Sequence, residues 1–184
     1  MTWIDWLVIS LVIVYTAGGY FTGVIRRLIG LVALYLGLLA ATNMGLQAGG
    51  ILQQSSNFDV ADGRIYGFFG ILTAILVIVE AATQLAHNQI QIPALLFNNA
   101  FGAIAGLVTA VLLSVVVVYE LGAAGSPFGG PQLDPLQQRI RDAYNGSRIA
   151  VPIVHQIQKP IINVFDSALP PDPQIYFSSS PVNP

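Results

Sequence analysis

The stretch "NNAFGAIAGLVTA" at residues 98–110 opens with two amides, sets two glycines four apart, and runs into an apolar segment that meets no charge before Glu120. Inside a water-soluble helix each glycine costs about 1 kcal/mol relative to alanine. In a bilayer the balance changes, because lipid tails are as apolar as leucine and helices associate by close backbone approach, which small residues permit. Gly102 and Gly106, continued by Ala110 and Ser114, therefore predict a packing stripe on a membrane-spanning helix. Composition points the same way. Apolar residues make up 54% of the chain and charged residues 9%, and the mean hydropathy is +0.69, a membrane protein's balance.

Outward from this stretch, four apolar segments reach the length of about 20 residues that a helix needs to cross a hydrocarbon core. They lie near 3–20, 24–45, 65–86 and 101–121, and make residues 1–121 a four-span transmembrane domain. The first lacks a basic leading region and a small-residue cleavage site, and its positive charges, Arg26 and Arg27, come after it. It is expected to stay as an anchor rather than leave as a signal peptide. Each other span has its own stripe: Gly19 and Gly23 end the first, Ala33, Gly37 and Ala41 mark the second, and Gly63, Gly67 and Gly70 with Ala74 mark the third. The prediction is an all-α membrane protein, four transmembrane helices in a compact bundle followed by a C-terminal amphipathic helical tail. One stripe is left over for a second copy or another envelope protein. Hinge or pore-lining roles for the same glycines are the alternative.

Beyond Leu121, residues 122–133 form a Gly/Pro-rich linker. Asp134-Pro135 then has the pattern of a helix cap followed by proline at the first helical position. The tail is placed at 134–169. Its second helix is expected after Pro152, with Ile153, Val154, Ile157, Ile161, Val164, Phe165 and Ala168 on one face. His155, Gln156, Lys159, Asn163 and Asp166 fill the other face, and Pro160 predicts a kink. Such a helix lies in the membrane interface or covers the mouth of the bundle. The end, "PPDPQIYFSSSPVNP" at 170–184, has the composition of a disordered segment.

Charge sets the topology. Arg26 and Arg27 sit in the tight turn between the first two spans and predict a cytoplasmic turn, which puts both termini outside the cytoplasm. Arg139, Arg141, Arg148 and Lys159 vote the other way, from the edge of the range over which the rule acts. Four ionisable residues lie in or near the spans. Asp5, Arg64 and Glu120 are expected near the outer interface, where snorkelling and mutual pairing suffice. Glu80 is the deep one, roughly 9 Å of helical rise from the end of its span. Glu80, Arg26 and Arg27 thus form a candidate intramembrane polar site. Pairing with one arginine, a carboxyl bonded to a neighbouring helix, and a proton or cation site are its three readings.

Other chemistry is missing from the pattern. There is no cysteine, the two histidines, His87 and His155, fall in separate non-spanning segments, and no nucleotide loop, zinc-protease helix or serine elbow appears. No catalytic, cofactor or metal site is predicted, and the expected protein is not an enzyme. A net charge of −2 with seven scattered basic residues gives no nucleic-acid footprint. The expected partner is the lipid bilayer.

Four blocks, "WIDWLVI" at 3–9, "GYFTGVIRRLIGLV" at 19–32, "NNAFGAIAGLVTAVLL" at 98–113 and, faintly, "SRIAVP" at 147–152, make the chain resemble the colicin V production protein (CvpA) family of small bacterial inner-membrane proteins. Relatives usually carry an arginine before the glycine matching Gly23, an aspartate-arginine pair where this chain has Asn98-Asn99, and an arginine near Thr109; all three are missing here. The resemblance implies a multi-pass inner-membrane protein associated with colicin V export, biofilm formation and envelope stress resistance. Some relatives are similar to a four-span anchor carrying an extracytoplasmic protease domain, which implies an outside tail. The expected function is a non-enzymatic factor supporting toxin production or export, or envelope maintenance. The alternative is a small channel or proton- or ion-coupled transporter that uses Glu80.

Overall fold

Small residues decide which helices touch. In the computed structural model, which describes residues 1–56, 58–87, 95–128 and 133–179, four long helices, α1 (Trp3–Thr22), α2 (Val24–Ser56), α3 (Val60–His87) and α4 (Leu95–Ala124), are long and apolar enough to cross a membrane. Three short helices follow: α5 (Pro135–Asn145), α6 (Ala150–Phe165) and α7 (Pro173–Tyr176), with a 3-10 turn at Asp166–Ala168 between the last two. There is no strand among the described residues. A single residue, Gly23, separates α1 from α2; its φ of 81° lies where an L side chain is strained.

The bundle is built from two helix pairs. α1 packs chiefly on α4, α2 chiefly on α3, and the pairs meet along α2 and α4. In the first pair the backbones touch: a side chain added at Gly19 would fall on the Gly102 carbonyl, one at Gly102 on the Gly19 carbonyl, and one at Gly106 on the Tyr15 carbonyl. In the second pair a β-carbon at Gly49 would lie 2.6 Å from the Gly63 carbonyl oxygen, and one at Gly63 would lie 2.8 Å from that of Gly49. Gly67 sits against the Gly45 carbonyl, and Gly37 faces Leu72 and Ile75 of α3. Gly70, the third member of its stripe, faces open space. Large apolar side chains such as Phe21, Val77 and Ile78 point outward, as a lipid-facing surface requires.

Three expectations are corrected. First, the helices extend beyond the expected spans: α2 continues past 45 to Ser56, α3 starts at Val60 rather than 65, and α4 runs from Leu95 to Ala124. The polar, glycine-rich stretch after 45 stays helical because Gly45 and Gly49 are the approach points for α3, so packing overrides propensity. Second, the end of the chain is not a disordered segment throughout. Residues 168–170 and 176–178 are buried, and Tyr176 and Phe177 join the core beside Phe68 and Phe69; residues 180–184 lie outside the described residues. Third, α6 starts at Ala150, before Pro152, and runs through Pro160. Its apolar face is narrower than the wheel implies, since Val154 and Phe165 are buried whereas Ile153 and Val164 are exposed.

The tail forms a layer over one end of the bundle, packed mainly on α4. Asp134 caps α5 and Pro135 takes its first turn, with the Asp134 N–H donating to Gln137 Oε1 at 3.3 Å. From the linker, residues 122–124 finish α4 and 129–132 lie outside the described residues.

Candidate functional site

The first two residues of α2 that point inward are Arg26 and Arg27, 8% and 4% exposed. The Gly23 turn reverses the chain immediately before them, and Asn98 of α4 secures it: Val24 N–H donates to Asn98 Oδ1 at 3.2 Å. Both guanidiniums converge on one carboxylate of α3. Arg26 Nη2 donates to Glu80 Oε1 at 2.8 Å and to the Glu80 carbonyl at 3.0 Å, and Arg27 Nη2 reaches the same Oε1 at 3.5 Å. Arg27 also lies 5.3 Å from the centre of the Tyr15 ring, a cation–π contact. It passes where a side chain at Gly18 would stand, so that glycine makes room for a cation rather than for a helix. The structure thus gathers Arg26, Arg27 and Glu80 at one place, about two helical turns from the end of α3. The Glu80 side chain is 41% exposed, so this carboxylate is not the most buried one.

At the opposite end Asp5 is fully buried, and its partners are main-chain and hydroxyl groups rather than a cation. Its carboxylate accepts five hydrogen bonds. Oδ1 takes Ser147 Oγ at 2.5 Å, Ala150 N–H at 3.0 Å and Ile149 N–H at 3.1 Å. Oδ2 takes Thr2 N–H at 2.8 Å and Arg148 N–H at 3.3 Å. An anion among the free N–H groups that start a helix is favoured by both hydrogen bonding and the helix dipole. Asp5 of α1 is therefore the anchor of α6, and it joins the "WIDW" block to the "SRIAVP" block, the two ends of the resemblance.

Glu120 of α4 also departs from expectation. It is fully buried, and neither carboxylate oxygen has a hydrogen-bond partner among the described residues. Tyr176 of the tail lies close enough to feel its charge. The Tyr176 hydroxyl, which burial pushes above the usual phenol range, donates to the Ala41 carbonyl at 3.1 Å. The main chain around it is held just as firmly. Gln137 Nε2 donates to the Phe177 carbonyl at 3.0 Å, and Arg64 Nη1 donates to the carbonyls of Tyr176 and Ser178. Thr42 Oγ1 adds a bond of 2.7 Å to the Ala168 carbonyl. Arg64 thus holds the tail through its main-chain carbonyls.

Sequence reasoning missed three features here. The Gly45–Gly49 spacing carried a signal of the same kind as the other stripes. The Tyr176-Phe177 pair stood out only as aromatics within a Pro/Ser-rich end. The isolation of Glu120 had no local signal at all.

His155 meets Tyr144 at 3.1 Å on the exposed side of the tail. Among the described residues no group of acidic residues and histidines could hold a metal ion. No curated protein and no solved structure matches the chain. The profile of the family described as colicin V production protein matches residues 4–153, a span that takes in both arginines, Glu80, Asp5 and its partners at 147–150. The chain belongs to the colicin V production protein family.

Proposed function

We propose that this is a non-enzymatic, multi-pass inner-membrane factor that supports toxin production or export, or envelope maintenance, by contacting other proteins through its tail. The observation that supports this reading is the tail layer. It is bonded to α1 through Asp5, to α2 through Thr42 and Ala41, and to α3 through Arg64. It presents Arg139, Arg141, Arg148 and Lys159 on its exposed surface. A layer fixed to three helices holds a constant surface toward a partner at little entropic cost. Both termini lie on the extracytoplasmic side in this reading, with the Arg26–Arg27 turn in the cytoplasm. Transport through Glu80 has less support, since both arginines engage that carboxylate.

Two measurements test the proposal. Reconstituted in liposomes, the protein is expected to give no ion or solute flux above protein-free vesicles. In cells, charge reversal at Arg139, Arg141 and Arg148 is expected to abolish complementation of an export or envelope-stress phenotype while the spans still fold. Sustained selective flux that Glu80→Gln removes would overturn the proposal in favour of a transporter. For the orientation, an alkaline phosphatase fusion at the C-terminus is expected to be active.

A further inference from the structure

The cluster at the start of α2 carries one more positive than negative charge. Arg26 and Arg27 are both more than nine-tenths buried, and between them they have a single carboxylate, Glu80. The Nε groups of both arginines are buried without a hydrogen-bond partner among the described residues. Tyr15 offers Arg27 a ring face, and Asn98 spends its carbonyl oxygen on Val24; neither supplies a negative charge. Burying an uncompensated charge is strongly unfavourable, and guanidinium groups cannot deprotonate to avoid it. A counter-anion is the remaining way to balance the site.

The surroundings define which anion. The cluster lies in the first turn of α2, directly after the Gly23 turn that ends α1, so a bilayer spanned by α1 has its headgroup boundary within about one or two helical turns of the guanidiniums. The part of the cluster that reaches the surface is the Glu80 carboxylate, whose side chain is 41% exposed, and Val77, one turn before it, is exposed as well. Phe21, Ile25 and Leu28 are exposed beside the arginines. A ligand that joins a phosphate oxyanion to apolar chains satisfies both surfaces at once: the forked guanidinium donors match phosphate geometry and the apolar rim meets acyl tails. We propose that Arg26 and Arg27 form a binding site for the phosphate of an anionic phospholipid, with Glu80 holding the two guanidiniums in place and competing with the ligand for them. This goes beyond the partner-binding role above and rests only on the chain spanning a membrane.

The test is thermal melting of the full chain, delipidated in a neutral detergent, with the lipid as the only variable. Phosphatidylglycerol in mixed micelles is expected to raise the melting temperature by roughly 4 °C or more, and phosphatidylcholine to leave it unchanged. Arg27→Gln removes the surplus charge but leaves the Arg26–Glu80 pair, so the variant should melt cooperatively and lose the phosphatidylglycerol shift. Arg27→Lys keeps the charge without the fork and should retain part of it. Glu80→Gln should enlarge the shift because it removes the competing carboxylate, whereas a purely structural ion pair predicts only a lower starting temperature. A full shift in Arg27→Gln, or no enlargement in Glu80→Gln, overturns the site. An equal shift from inorganic phosphate alone, at matched ionic strength, overturns the lipid as its source and leaves a soluble oxyanion.

Discussion

Replacing Gly49 with alanine adds one methyl group at a close approach of the α2–α3 pair. The new carbon would stand 2.6 Å from the Gly63 carbonyl oxygen, 2.8 Å from the Gly63 carbonyl carbon and 3.0 Å from the Arg64 nitrogen. Carbon–oxygen contacts between packed helices settle at about 3.3–3.6 Å, so α3 must retreat by roughly 0.7 Å at that point. A gap of that size forfeits a quarter to a half of each dispersion contact it opens, and overpacking of this kind costs about 1–3 kcal/mol. Alanine returns up to about 1 kcal/mol through helix propensity, leaving a net loss of about 0–2 kcal/mol. The control fixes the sign. Gly50 and Gly70 have nothing within 4 Å of an added carbon, so alanine there receives the propensity gain alone and should stabilise. Melting of the three single variants in one detergent is the assay. Gly49→Ala must fall below wild type, and Gly50→Ala and Gly70→Ala must match or exceed it. Equal shifts in one direction for all three would refute the argument that α2 and α3 are held by backbone approach.

Gly102→Leu with Gly106→Leu should separate α1 from α4, since each leucine would enter the other helix's backbone, and the double variant is expected to melt lower or express poorly. Asp5→Ala removes the acceptor for three N–H groups at the start of α6; a loss of about 3 kcal/mol in tail docking is expected, seen as new trypsin cleavage at Arg148 while the spans resist. Glu120→Met replaces an unpartnered buried carboxyl by an apolar side chain of similar size, and a stabilisation of about 1–3 kcal/mol is expected in chemical unfolding; a lower stability would mean that Glu120 has a partner. Burial and the like charge of Asp59 hold Asp134 above the usual carboxylate range, so its contribution is full at low pH and is lost as pH rises through that raised value. Asp134→Asn keeps a capping side chain without the titration, and its melting temperature should gain on wild type as pH rises; a constant difference would place Asp134 in an ordinary environment.

Length and apolar content suffice to place the four spans, because a bilayer leaves few ways to satisfy twenty backbone amides. The stripes at Gly19, Gly102 and Gly106 were legible for the same reason: their spacing is the contact itself. Asp134-Pro135 was legible as a local cap. Features made by distant partners were not. Asp5 looks like an ordinary interfacial carboxylate until residues 147–150 arrive from the other end of the chain. The segment around Tyr176 has a disordered composition, and only Phe68, Phe69, Arg64 and Gln137 make it part of the core. For the candidate site, sequence brought Glu80 and the arginines to the same depth. That both arginines share one carboxylate depends on the rotation of α3 about its axis, which spacing along one helix does not determine.

The two ends of the bundle are closed by opposite means. At the tail end, carboxylate and guanidinium side chains are spent on main-chain groups: Asp5 on the N–H groups of α6, and Arg64 on the carbonyls around α7. Those bonds tie the α1–α4 pair to the α2–α3 pair through a third element, so the tail limits how the pairs can move against each other. At the other end no such element is seen among the described residues, and the charges meet one another directly, with α2 and α3 joined by Arg26, Arg27 and Glu80. Among the described residues, the α1–α4 pair meets that cluster where Tyr15 and Gly18 face Arg27, and Asn98 holds the adjoining turn at Val24. A force on the tail layer therefore acts on both pairs, whereas at the end with the surplus positive charge the pairs are held by the one-residue Gly23 turn between α1 and α2 and by the contacts of Tyr15 with Arg27 and of Asn98 with Val24.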